Sequence, residues 1–197
     1  MTPSTTTPTS ARQLATPGAL GLADLVALFD DLQFTLECCE RLVAELARPR
    51  VDAVLVEALW VSALNSYARC FRTGDRGLHL TVDDVKATGV PGEVAEWHAL
   101  LGRIRDFSID GPVNPREAYS VGVSQSSSGE ASGVVITSAA RPLVDDVTVK
   151  QTGRLAFELS RLVDERIKEH QQTVFAAASK LTSAQLAALP AIAVTSQ

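Results

Sequence analysis

Residues Trp97 to Val123, WHALLGRIRDFSIDGPVNPREAYSVGV, change periodicity midway, and that change decides the fold. In the first half Trp97, Leu100, Leu101 and Ile104 recur at helical spacing, so a helix from about Gly92 to Phe107 buries them with Val94. His98, Gly102 and Arg105 share one side of it, and Arg105-Asp106 sit near its end, where backbone carbonyls lack helical partners. Asp110, Gly111 and Pro112 stop the helix by turn chemistry. In the second half Tyr119, Val121 and Val123 alternate with small or polar residues, and Val134 to Thr137 form a second apolar run after a Ser-Gly loop. The two runs read as a β-hairpin at about 118–138. A lone hairpin is marginal in water, so this one is expected to pack on the helices.

Upstream, Leu22, Leu25, Phe29, Leu32, Leu36, Cys39, Val43 and Leu46 recur at steps of three and four, with Val26 and Leu42 widening the stripe. This predicts a long helix packed against neighbours, with Asp24, Asp30, Asp31, Glu37, Glu40 and Arg41 on its solvated side. Pro49 disfavours helix in Arg48 and breaks the run. The next helix, VDAVLVEALWVSALNSYARCF from Val51, is apolar on nearly every side and reads as the central, most buried one. Its polar exceptions are Glu57, Asn65, Tyr67, Arg69 and Arg72.

Thr81 with Asp84 starts a short helix, and Thr182 with Gln185 a terminal one, each as a capping box. Between them a last long helix from about Asp145 buries Leu155, Leu159, Leu162, Ile167 and Val174, with Gly153 marking close helix-helix approach. The expected class is mainly α (α+β): a bundle of about four long helices with a β-hairpin inserted before the last. Residues 1–19 are Thr-, Ser- and Pro-rich and read as a disordered tail, 20–189 as a single domain and 190–197 as a second tail.

A chain of 197 residues buries a core without staples. Its net charge of -5 argues against a general polyanion binder. Cys38, Cys39 and Cys70 have neither zinc nor disulfide-framework spacing and read as buried thiols. No signal peptide and no bilayer-length apolar run is evident, so a cytoplasmic protein is expected, with no membrane, metal or cofactor partner. His79 and His170 read as ordinary structural or surface residues.

Tyr67-Ala68-Arg69-Cys70-Phe71, Arg76-Gly77-Leu78, His98 seven residues before Arg105-Asp106, and Val113-Asn114 with Glu117 resemble a group of bacterial and phage proteins related to HEPN domains. The resemblance covers roughly Leu25 to Lys180 and implies a helical bundle that forms a homodimer, with RNA or a nucleotide as ligand. Many such domains cleave RNA without metal in toxin-antitoxin and antiphage systems. There an arginine-aspartate at a helix end is followed within a few residues by histidine, the arginine holding phosphate and the histidine moving a proton. Here Phe107, Ser108, Ile109, Asp110 and Gly111 follow, and no histidine is delivered.

The resemblance therefore implies a catalytically inactive binding or regulatory module, with Tyr67, Arg69, Arg72, Arg105 and Asn114 as binding residues. An RNase or nucleotide-processing enzyme, the alternative, would rest on Arg105, Asp106 and His98. In a third reading, a structural scaffold, Arg69 and Arg105 tie the hairpin to the bundle through Glu57, Asp106 or Glu117.

Overall fold

The computed structural model describes residues 11–73 and 77–193. Arg76 and most of the N-terminal Thr/Pro-rich stretch lie outside them. In chain order the elements are β1 (Ala11–Arg12), α1 (Pro17–Leu46), α2 (Ala53–Arg69), α3 (Val82–Ala87), α4 (Val94–Ile109), β2 (Glu117–Gln125), β3 (Ala131–Ala140), α5 (Asp146–Ala178), α6 (Ser183–Ala188) and β4 (Ala191–Ile192). The fold is mainly α, with α1, α2, α4 and α5 as its long helices.

Local chemistry sets the helix boundaries. Thr16 Oγ1 accepts from the Ala19 amide at 3.3 Å and Pro17 opens α1, while Asp52 Oδ1 accepts from the amides of Val54 and Leu55 at the start of α2. Buried Glu45 closes the corner between these helices by accepting from Arg48 Nη1 at 2.8 Å and from the Asp52 amide at 2.9 Å. Both expected capping boxes form, Thr81 with Asp84 and Thr182 with Gln185. Asp145 caps α5 through the Thr148 amide at 2.8 Å. Past the end of α4, a Cβ on Gly111 would lie 2.4 Å from the Phe107 carbonyl oxygen, so the chain leaves the helix there only through glycine.

The core is formed where α1 packs against α5 along one side and α2 along another. Leu28, Leu32, Leu42, Val56, Leu64, Leu155, Leu159 and Val163 are sealed within it. At the α1–α5 contact a Cβ on Gly153 would meet Cys39 Cβ at 3.3 Å, so this glycine does permit the close approach. Cys38, Cys39 and Cys70 are buried; burial, the largest cause, pushes the Cys39 thiol up to about 12.

Several expectations are corrected. Helix α2 packs between α1 and α4 but is not buried on nearly every side, since its start leaves Val54 78% exposed, while α1 packs on both α5 and α2. The same double cover buries Asp31, expected on the solvated side, and leaves Val26 exposed. Residues 11–19 and 190–193 are not plain tails: Ala11 pairs with Ile192 and Arg12 with Ala191, and the Gln13 amide donates to Pro190 O at 2.8 Å. Backbone hydrogen bonding there supplies what side-chain burial does not. The hairpin does not settle on the helices; every residue of β3 is exposed, and β2 and β3 form an arm.

Candidate functional site

On α4, Arg105 is 7% exposed, and its Nη1 donates to Asp106 Oδ1 at 2.9 Å and to Asp110 Oδ2 at 2.6 Å. The hydrogen bond to Asp106 is the foremost cause raising the guanidinium above its usual value. One cation between two carboxylates leaves the cluster negative, so it repels a phosphate instead of holding one. Asp110 thereby occupies the arginine.

His98 lies two turns earlier, about 10 Å back along the axis. Its Nδ1 is 2.9 Å from the Tyr67 hydroxyl on α2. Burial raises the Tyr67 pKa, so the phenol keeps its proton beside the imidazole. The His98 ring packs tilted against Phe71 at 4.3 Å between centroids, and Tyr67 packs on Phe71 at 5.1 Å. This aromatic group joins the end of α2 to α4.

Burial depresses the His98 pKa from its ordinary value of 6.5. The unfolded imidazole takes up its proton near that value while the folded one resists, so the associated stability is complete above about pH 6.5 and declines as pH falls below it. The slope is bounded by about 1.4 kcal/mol per pH unit for one proton. Thermal unfolding between pH 7 and pH 5 is therefore expected to show a falling Tm, and His98→Gln to flatten that fall even though it lowers Tm overall. An unchanged pH slope in the variant would place the titration elsewhere.

Of the remaining sequence-predicted residues, Arg69 and Asn114 make structural contacts. Arg69 Nε and Nη2 donate to Asp31 Oδ1 at 3.1 and 2.5 Å, and Nη2 also donates to Ser66 Oγ at 2.9 Å, joining α2 to α1. The hydrogen bond to Asp31 chiefly raises the Arg69 pKa. Asn114 is exposed and its Oδ1 accepts from the Arg116 amide at 2.9 Å, shaping the turn before β2. Arg72 is exposed at the end of the second helical stretch. The structure thus joins Tyr67 to His98, and Arg105 to Asp106, but the set does not converge on one cleft.

A different feature escaped the sequence. Beneath the base of the hairpin lies a cleft of about 540 Å³, walled by Val54, Val56, Trp60, Ile104, Phe107 and Val144. Glu57, Arg116 and Arg141 stand at its polar side; Arg116 Nη1 lies 3.7 Å from Glu57 Oε1, and the Arg141 guanidinium sits 4.9 Å from the Phe107 ring centroid. These contacts, not Arg69 or Arg105, hold the arm to the helices. The only signal in the sequence was the excess of apolar residues around α2, which serves a cleft rather than deeper burial. None of Tyr67, Arg69, Arg72, His98, Arg105, Asp106 or Asn114 lines it.

Among the described residues no helix is long and apolar enough to cross a membrane, and no group of three or more His, Cys, Asp or Glu could hold a metal ion. Compared with protein-family models, with curated proteins and with solved structures, the chain has no match.

Proposed function

We infer that this chain is a catalytically inactive, HEPN-like helical binding module that works as a cytoplasmic homodimer, with the apolar cleft under the arm as its recognition surface. The observation that carries the reading is the pairing of Arg105 with both Asp106 and Asp110, which removes the one guanidinium placed where a phosphate would have to be held. His98, engaged with Tyr67 and desolvated, is not free to move a proton at that position. The cleft offers what the polar residues do not: uncovered apolar surface with a few orienting charges on one side.

Incubation of purified protein with labelled single-stranded and structured RNA, beside Arg105→Ala, tests the inactive reading. Equal, background-level RNA loss in both proteins is expected. Cleavage by the wild type that disappears in Arg105→Ala would overturn the reading and assign the chain to metal-independent RNases.

A further inference from the structure

The register of the arm sorts its side chains into two unlike faces. Glu117 pairs with Ala140, Tyr119 with Ser138, Val121 with Ile136 and Val123 with Val134, and alternation along the strands puts these pairs on one side. Ser120 with Thr137, Gly122 with Val135 and Ser124 with Gly133 occupy the other. On the first side Tyr119, Val121, Val123, Val134 and Ile136 are between 57% and 73% exposed. Their uncovered surface is on the order of 500 Å², toward the upper end of what a soluble monomer leaves bare in one patch. Rows of β-branched and aromatic residues favour a strand when they are packed, and a two-stranded sheet by itself is marginal in water.

This face does not end at the helices. Glu117 and Ala140, which belong to it, also line the cleft, so one surface runs from the cleft floor out along the arm. From Glu117 to Val123 it extends about 20 Å.

We propose that the arm is the contact between two copies of this chain: the apolar faces of two β2–β3 hairpins pack together about a two-fold axis, each tip directed toward the other copy's cleft. The proposal rests on the homodimeric reading above and names its interface. Three observations select a second copy as the occupant. From Ala118 to Ala139 the arm carries a single charged residue, Glu130 in the turn, and Glu117 at the base of the face shares the cleft with Arg116 and Arg141, so the face meets a copy of itself without net repulsion. Two such faces, with the cleft rims, would bury roughly 1,200 Å², where stable specific interfaces begin. The same stretch has no lysine or arginine, the residues that would draw an arm onto an anionic lipid surface.

Light scattering of the full chain at about 10 µM tests this. The wild type is expected to be a dimer. Val121→Asp and Ile136→Asp should weaken association at least about 100-fold, because each places a charge in the centre of the contact. Ile136→Thr, which keeps β-branching, should weaken it less but measurably, and Ser120→Asp and Thr137→Asp on the opposite face should leave the dimer intact. Helical circular dichroism should be the same in all of them, since these side chains lie outside the helical core. A wild-type dimer unmoved by Val121→Asp, Ile136→Asp and Ile136→Thr would overturn the arm contact while leaving the homodimer standing. A monomeric wild type would overturn both, and sedimentation of that monomer with phosphatidylserine vesicles, lost in Ile136→Asp, would assign the face to lipid instead.

Discussion

Leu32→Ala is expected to lower the unfolding free energy by about 3–5 kcal/mol, while Leu55→Ala on α2 changes it by less than about 1 kcal/mol. Both remove the same atoms from a leucine in a long helix, so the contrast isolates position. Leu32 is fully buried on α1, the helix that packs on both α5 and α2, and its loss opens a cavity where neighbours are held from two directions. Leu55 is 41% exposed near the start of α2, so its truncation removes little packed surface. Urea unfolding monitored by circular dichroism measures the difference, with the dependence on denaturant unchanged if only stability moves. Equal costs at the two sites would contradict the burial of Leu32 and the exposure of Leu55.

Asp84→Ala is expected to cost about 2–4 kcal/mol, the largest effect of any single polar substitution away from the core. Its carboxylate has two structural tasks. One oxygen accepts from the Thr81 amide at 2.7 Å and from Thr81 Oγ1 at 3.0 Å, completing the capping box of α3. The other accepts from Arg166 on α5. Alanine removes both and detaches α3 from α5. Arg166 is partly exposed and returns to water, which keeps the cost below that of stranding a buried charge. Burial works to raise the Asp84 pKa, but the hydrogen bonds from Arg166 and Thr81 outweigh it and leave the pKa below its usual 3.8. The stability it contributes is therefore complete above the unfolded value and is lost as pH falls below about 4. Asp84→Asn, which keeps an acceptor for the cap without the charge, should lie between wild type and alanine in the same unfolding measurement.

How far the sequence could be read is explained by what periodicity reports. The stripe through Leu25, Leu32, Cys39 and Leu42 locates α1, because a buried arc repeats every 3.6 residues whatever covers it. It does not report how many helices cover that arc, so Asp31 looked solvated when α2 in fact brings Arg69 onto it. Capping boxes at Thr81 and Thr182 were legible because their chemistry is local to three residues. The close approach at Gly153 was legible because glycine in a long helix needs a reason.

The candidate site was less legible. Whether Arg105 reaches solvent depends on the rotation of Asp110 past the last turn of α4, and no spacing rule carries that information. The pattern Tyr119, Val121, Val123 identified a strand with one apolar face, but alternation does not say whether the covering surface belongs to the same molecule. The assumption that it did placed the hairpin on the helices and hid the cleft at its base.

On this account His98 and Arg69 join helices, Arg105 is held at the end of its own helix, and the apolar surface that runs from the cleft out along the arm does the recognising. Peptide-level hydrogen exchange across 117–140, followed from dilute to concentrated protein, tests that most directly. The account predicts fast exchange in the dilute monomer and protection that rises with concentration as two arms cover each other. Slow exchange at every concentration, or fast exchange even in a concentrated dimer, would contradict it.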